Sequence, residues 1–216
     1  MTIISLVTTK GGCGKSTLAA CIAGELQFRK VDIALLDIDA QRTLTAWHSN
    51  DGKLNELPLG TANGATVEPS IKALSKAHKV VICDTAGFSN RDTLSVLALS
   101  DIALVPFNAT PADALGAAAT VRLLRDVNAT VERQQTPLKI LLIMNGVSRG
   151  GLVEHIRNEV ERIGETVLDS TINRRVAYAE AMLSGTTPAF MGKGAKAADQ
   201  EIKALVDELI KYNLGI

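Results

Sequence analysis

Short apolar runs alternate along this chain with longer segments in which apolar residues recur every three or four positions. This alternation is typical of repeated strand–helix–strand units. It predicts an α/β fold with a mainly parallel twisted sheet flanked by helices on both faces. Strands are predicted at Ile3–Thr8, Ile33–Asp37, Val80–Asp84, Ile102–Pro106, Ile140–Asn145 and, more briefly, Val167–Asp169. Helices are predicted at Lys15–Arg29, Thr43–Ser49, Pro69–Ala77, Arg91–Leu99, Pro111–Val127, Leu152–Ile163, Val176–Leu183 and Ala197–Tyr212.

Two turn-rich stretches, Gly60–Ala65 and Gly185–Gly194, interrupt the pattern without the composition of a linker. A chain of 216 residues has room for one α/β domain with a sizeable core. We therefore expect a single domain over residues 1–216.

Composition narrows the possible functions. Lysine plus arginine (23) equals aspartate plus glutamate (23), so any contact with DNA would have to come from a local basic patch. The cysteines, Cys13, Cys21 and Cys83, have neither disulfide-framework nor metal-ligand spacing, which favours a reducing compartment. The chain begins with a strand instead of a leader, and no apolar run is long enough to span a bilayer. We therefore expect a soluble cytoplasmic protein.

The turn after the first strand has the pattern of a phosphate-binding loop. It reads Lys10-Gly11-Gly12-Cys13-Gly14-Lys15-Ser16-Thr17. The common P-loop needs glycine at position 9, where this chain has Thr9, but the variant K-G-G-x-G-K-[ST] is matched. Its glycines allow backbone N–H groups to face a polyanion at a helix N-terminus. Lys15 fits the lysine that reaches the β- and γ-phosphates and Ser16 the hydroxyl that binds Mg²⁺, whereas Lys10 is a second lysine that the common motif lacks.

Acidic residues follow two of the predicted strands, at the edge where ligands bind in open parallel sheets. Asp37 and Asp39 are one residue apart and would point the same way if the strand continued, so either could orient a water. Asp84 follows an apolar strand, as expected of a Walker B carboxylate that holds Mg²⁺ through water. The alternative for each is a helix cap or a turn residue.

Asn145 ends another predicted strand, where its amide could donate to and accept from an adenine edge. The alternative is a turn, because Asn145 is followed by Gly146.

Together these residues resemble the ParA family of deviant-Walker ATPases, within the larger group that includes MinD. The resemblance covers nearly the whole chain and depends on the segments Lys10–Thr17, Asp37–Gln41, Asp84–Gly87 and Pro106–Asp113. It is strongest to the small plasmid-partition subtype without an N-terminal helix-turn-helix, of which ParF is an example. The family's Asp-Pro-Gln is Asp-Ala-Gln here, with Ala40 in the middle.

The resemblance implies a partner-stimulated ATPase that binds ATP, ADP and Mg²⁺ and forms an ATP-dependent homodimer. Lys10 would cross the dimer to the phosphates bound by the other subunit, and Asp39 would position the attacking water while Lys15 stabilises the leaving phosphate. Pro106 and Pro111 would contact the nucleotide along with the P-loop residues. A ParB- or ParG-like adaptor would bring the cargo, which is plasmid DNA in the subtype resembled.

The family resemblance also implies binding to nonspecific double-stranded DNA and association with the nucleoid. The candidate contacts are the basic residues of the C-terminal third: Arg174, Arg175, Lys193, Lys196 and Lys203. Larger relatives have a further arginine where this chain has Ala177. The alternative is a solvated face in which these residues pair with Glu180, Asp199 and Glu201.

Other functions stay open. A carboxysome or a chemoreceptor cluster would be served by similar motor residues. A P-loop synthetase of small-molecule metabolism would share the fold, but Lys10 argues against it, and a nucleotide-binding scaffold would hardly hydrolyse ATP. Membrane binding as in MinD is not expected, because the amphipathic segment 199–211 contains more acids than lysines and is predicted to pack on the sheet.

Overall fold

The computed structural model describes residues 1–87, 91–148, 150–212 and 214, with the side chain of Glu132 left out. The strands are β1 (Thr2–Leu6), β2 (Ile33–Asp37), β3 (Leu59–Thr61), β4 (Val80–Asp84), β5 (Ile102–Phe107), β6 (Lys139–Val147) and β7 (Thr166–Asn173). The helices are α1 (Lys15–Phe28), α2 (Thr43–His48), α3 (Val67–Ala77), α4 (Arg91–Leu99), α5 (Pro111–Asn128), α6 (Leu152–Glu161), α7 (Val176–Leu183) and α8 (Lys196–Lys211).

The described strands form one parallel sheet of seven strands in the order β3-β2-β4-β1-β5-β6-β7. This confirms the predicted fold class. Because all strands run the same way, the loops that follow them gather at one edge of the sheet. β1 lies between β4 and β5, and the register places Asp84 of β4 beside both Leu6 of β1 and Asp37 of β2. The P-loop and the acidic residues predicted to bind nucleotide therefore meet at the carboxyl edge.

Hydrophobic residues bury both faces of the sheet. One large cluster joins α1, α7 and α8 to one face, and two smaller clusters lie under α5 and α6 and under α3 and α4. The segment Leu18–Leu26 of α1 is buried on all sides, since its sequence is alanine-rich and lacks a polar face. At Gly24 a Cβ atom would lie 2.1 Å from the Thr187 hydroxyl, so only glycine permits this close packing.

The C-terminal helix α8 packs on the sheet, as its sequence predicted. Its apolar positions Ile202, Leu205 and Leu209 are buried in the large cluster. In the part of the chain that the structure describes, there is no helix with the length and apolar character that crossing a membrane requires.

One strand was not predicted from the sequence. β3 has only three residues, Leu59–Thr61, and forms the sheet edge beside β2. Such a segment is too short to show a period, and Gly60 at its centre is uncommon in strands. Several predicted boundaries also differ: β1 ends at Leu6, and β6 and β7 are longer than expected. α3 begins at Val67, which places Pro69 in the first turn, where proline is tolerated.

Candidate nucleotide-binding site

The P-loop leads directly into the N-terminus of α1. Gly12 and Gly14 have φ values of 78° and 84°, in the left-handed region that glycine adopts without strain. Gly14 has a second constraint, because a Cβ atom there would lie 2.3 Å from Nδ2 of Asn145. The loop and the segments facing it enclose a cavity of about 370 Å³ lined by Gly11, Gly12, Gly14, Lys15, Ser16, Thr17, Asp39, Gln41, Thr43 and Gly87. The cavity thus combines backbone donors, a lysine and hydroxyl groups at a helix N-terminus, as a polyphosphate requires.

Asp84 is a buried carboxylate without a partner. Asp84 is fully buried, and neither of its carboxylate oxygens has a hydrogen bond among the described residues. Burial raises the pKa of Asp84 from 3.8 to about 7; the Ser16 hydroxyl and Lys15 oppose the rise, while Asp37 adds to it. The Ser16 hydroxyl is close enough to act on this charge without making a hydrogen bond of normal geometry.

A cation is the partner that such a carboxylate lacks. A hydroxyl and a carboxylate oxygen are both hard ligands that suit Mg²⁺, which keeps several waters and binds phosphate oxygens. Ser16 and Asp84 therefore fit the predicted metal site. The described residues contain no cluster of three or more His, Cys, Asp or Glu side chains able to hold a metal by themselves.

The two acidic residues at the end of β2 have different surroundings, and the condition under which they would point the same way is not met. β2 ends at Asp37, so the strand does not continue to Asp39. Asp37 is fully buried and accepts hydrogen bonds from the Thr45 backbone N–H (2.9 Å) and hydroxyl (2.6 Å) and from the Asp39 N–H (3.0 Å). Asp37 thus anchors the loop, and Asp39 lines the phosphate-side cavity.

The loop between β2 and α2 carries a further arginine that sequence reasoning missed. Arg42 has φ 52°, which is uncommon outside glycine, and its guanidinium donates to the carbonyl oxygen of Asp37. Asp39 Oδ1 accepts from the Gln41 N–H (2.9 Å). These contacts fix the path of the loop that presents Asp39. The sequence carries no signal that marks Arg42, because its φ value and its contact with Asp37 are visible only in the structure.

A second cavity, of about 510 Å³, lies on the other side of the P-loop. It is lined by Gly12, Gly14, Asn108, Ala109, Thr110, Asn145, Gly146, Ser148, Gly150, Leu152, Val153 and Arg174. Its position beside the phosphate-side cavity suits the base and ribose of a nucleotide. Asn145 lines this cavity, and its contact to adenine stays a prediction. Its amide nitrogen donates to the Cys13 carbonyl (2.7 Å) and so supports the P-loop.

The predicted proline contacts do not lie in this cavity. Pro106 is buried inside β5, where it pairs with Ile143. Pro111 begins α5 and lines a separate cavity between α5 and α6. A contact from either residue to nucleotide stays a prediction.

Lys10 turns away from the phosphate-side cavity toward α5. Its Nζ atom lies 2.8 Å from Oδ1 of Asp113, and the side chain is 40% exposed. Thr9, beside it, is also held to α5, since its backbone N–H and its hydroxyl contact the Thr120 hydroxyl at 3.0 and 3.1 Å. Sequence reasoning gave Asp113 no role of its own.

The predicted DNA contacts fall into two groups. Arg174, Lys193 and Lys196 are exposed. Arg175 is paired with Glu201 (Nε–Oε1 3.0 Å), and Lys203 is paired with Asp199 (2.8 Å) and lies over the Phe28 ring. These ion pairs match the alternative of ordinary charge pairing for Arg175 and Lys203. Arg174 lines the base-side cavity, whereas Lys203 packs against α1 at a different place.

Known proteins resemble the chain along most of its length. Residues 4–189 match the family described as the CobQ/CobB/MinD/ParA nucleotide binding domain. Protein ParA of Rhizobium radiobacter is 27% identical over 182 residues, which cover 82% of this chain and 81% of that protein. Maintenance of carboxysome distribution protein A of Halothiobacillus neapolitanus is 24% identical over 211 residues, covering 96% and 95%.

The fold is also found among solved structures. A candidate plasmid partition protein of Borrelia burgdorferi B31, solved with AMPPNP bound, superposes with a TM-score of 0.73 at 16% identity, covering 98% of this chain and 99% of that one. At this level of identity the likeness concerns the fold.

Proposed function

The chain belongs to the CobQ/CobB/MinD/ParA nucleotide-binding family, whose ParA and MinD members are ATPases, and on that premise we propose a specific role for it. It is a Mg²⁺-dependent ATPase that dimerises when it binds ATP, holds to nonspecific DNA of the nucleoid in the cytoplasm and positions plasmid DNA. A cargo-bound adaptor of the ParB or ParG kind stimulates hydrolysis and so releases the dimer.

The observation that carries the proposal is the buried, unpartnered carboxylate of Asp84 near the hydroxyl of Ser16, at the floor of a P-loop. A structural aspartate would have found a hydrogen bond, because a buried unpaired carboxylate is costly. Instead the chain retains a carboxylate at Asp84 whose ionised form is stabilised only when a cation binds beside it. This favours Mg²⁺-nucleotide as the ligand.

Residues in and beside the phosphate-side cavity have distinct tasks in the proposed hydrolysis. Lys15 and the loop N–H groups bind the phosphates and stabilise charge on the leaving group. Asp39, which lines the cavity, orients the attacking water, while Asp37 holds its loop in place. Mg²⁺, held through Ser16 and Asp84, would neutralise phosphate charge. Lys10 would supply the same kind of charge to the partner's nucleotide, which makes dimerisation depend on ATP.

The test is DNA binding in three nucleotide states. With ATP and Mg²⁺ the protein should bind unrelated duplexes with an affinity that falls steeply with salt, since neutralising several phosphates releases counterions. With ADP, or without nucleotide, it should bind weakly. Lys10→Ala should retain ATP through Lys15 but lose dimerisation and DNA binding, with Lys30→Ala as the control at an exposed lysine. Equal DNA binding with ADP and ATP would contradict the proposed switch.

A protein body is the second candidate cargo, because the relative from H. neapolitanus acts in carboxysome distribution by its name and covers almost the whole chain. The two cargoes can be separated with an unstable test plasmid that carries this gene and its neighbours. A partition ATPase should lower the rate of plasmid loss, and Asp39→Ala should abolish the effect. A positioning factor for a protein body should leave the loss rate unchanged.

A further inference from the structure

Lys10 is held by its own subunit in this structure. Its ammonium group lies 2.8 Å from Asp113 Oδ1, and the Asp113 side chain is only 2% exposed. The proposed function requires the same ammonium group to reach the phosphates of a second subunit. The Asp113 carboxylate is enclosed by its own helix and P-loop, so on the proposed function Lys10 has to leave this contact to reach the partner's phosphates.

Asp113 is itself fixed in place from two sides. The Thr110 hydroxyl, at the N-cap of α5, donates to its second carboxylate oxygen and accepts from the Asp113 N–H (3.2 Å). The Cys13 thiol of the P-loop contacts Oδ1 at 3.6 Å. Burial alone would raise the pKa of Asp113, but the hydrogen bonds from Lys10 and Thr110 hold it below its usual value. The group is therefore a charged, immobile acceptor for Lys10.

Releasing Lys10 leaves this buried carboxylate without its cation. Leaving a buried carboxylate without its cation is unfavourable, because the charge keeps its desolvation cost, and the 40% exposure of Lys10 moderates this loss through solvent screening. The partner's bound phosphates must supply an attraction that exceeds this loss. We propose that Asp113 is a positioning residue that keeps Lys10 on its own subunit and so sets how strongly dimerisation depends on ATP.

The nucleotide can reach this contact directly. Thr110, whose hydroxyl holds Asp113, also lines the base-side cavity, and Cys13 lies in the P-loop itself. A nucleotide in the two cavities would contact the first turn of α5 and the loop together. The Lys10–Asp113 pair thus lies where occupancy of the site can weaken it. The inference depends on the dimer proposed above.

The first test is Asp113→Asn, which keeps the size and polarity of the side chain but removes its charge. We expect the dissociation constant of the ATP dimer, measured by sedimentation velocity, to fall about tenfold, and a dimer to become detectable with ADP. Asp126→Asn neutralises an exposed acid on the same helix and should change nothing. An unchanged or weaker dimer in a folded Asp113→Asn protein would overturn the inference, and Asp113→Ser provides a second variant if the first does not fold.

A double-mutant cycle separates positioning from a structural effect. Because Lys10→Ala is expected to lose dimerisation, the cycle is read by urea unfolding of the nucleotide-free protein. Asp113→Asn should stabilise the Lys10→Ala background more than it stabilises the wild type, since it removes a buried charge whose cation is absent. An equal effect in both backgrounds would show that Asp113 acts through the fold instead of through Lys10.

A further measurement does not need the dimer. In the nucleotide-free protein, reductive methylation of Lys10 relative to exposed Lys30 should be several-fold faster in Asp113→Asn than in the wild type, as read by peptide mass spectrometry. Equal rates would mean that Asp113 does not hold Lys10. A wild-type protein that stays monomeric with ATP would refute the proposed function, and the labelling would still decide whether this contact exists.

Discussion

The Asn145 amide donates a 2.7 Å hydrogen bond to the Cys13 carbonyl and so ties the end of β6 to the middle of the P-loop. The same amide blocks any side chain at Gly14. One residue therefore lines the base-side cavity and also fixes the backbone that faces the phosphates.

Asn145→Ala should weaken both functions of this residue. It leaves the buried Cys13 carbonyl without its donor, which costs about 1–3 kcal/mol of unfolding free energy. We also expect ATP to bind at least several-fold more weakly. Urea unfolding and fluorescent-nucleotide titration measure the two effects. Ser148→Ala, in the exposed wall of the same cavity, is the control, and an Asn145→Ala protein of wild-type stability would contradict the structural role.

Asp84→Asn should stabilise the nucleotide-free protein, and more so as the pH rises. In the wild type, the Asp84 carboxyl loses its proton near pH 4 in the unfolded chain and near pH 7 in the folded chain. Ionisation of Asp84 therefore lowers the free energy of unfolding progressively as the pH rises between these values. The difference in stabilisation between pH 5 and pH 8 should be about 2–3 kcal/mol. Chemical denaturation at the two pH values measures it.

The same substitution should abolish stabilisation by the metal. Mg²⁺ added with ATP should raise the melting temperature of the wild type at pH 8 but not that of Asp84→Asn beyond the effect of ATP alone. A variant that Mg²⁺ still stabilises fully would remove Asp84 from the metal site.

Asp37 and Asp39 should respond differently to substitution, although they are neighbours in sequence. Asp37→Ala removes the acceptor for Thr45 and should cost about 2–4 kcal/mol, because these hydrogen bonds are buried and charge-assisted. Asp39→Ala should change stability by less than about 1 kcal/mol, abolish hydrolysis and trap the ATP dimer. Phosphate release and sedimentation distinguish the two. A nucleotide-binding scaffold would show almost no change in Asp39→Ala.

The basic residues should contribute unequally to DNA binding. Lys193→Ala and Lys196→Ala replace exposed lysines, and each should reduce the magnitude of the slope of log affinity against log salt concentration by about 1. Lys203→Ala should leave the slope unchanged, because Lys203 is already paired with Asp199. Arg174→Ala should also weaken nucleotide binding, since Arg174 lines the base-side cavity. Equal effects at all these positions would indicate a continuous patch.

The sequence predicted the sheet and the P-loop because both depend on local patterns. Apolar runs identify buried strands, and the glycine spacing identifies the loop. The separate roles of Asp37 and Asp39 were not predictable, because they depend on where β2 ends and on Thr45 reaching back to the strand. The pairing of Lys10 with Asp113 was missed for the same reason, since it joins residues more than a hundred positions apart.

The place of β1 in the sheet divides the molecule by task. Strands on one side, β5 to β7, lead into residues that line the base-side cavity, and β4 and β2 on the other side lead into residues that line the phosphate-side cavity. Among the described residues, only those of the P-loop line both cavities. Substitutions that alter which nucleotide base is accepted should therefore be separable from substitutions that alter the rate of triphosphate hydrolysis. The same hydrolysis rate would then be compatible with different nucleotides.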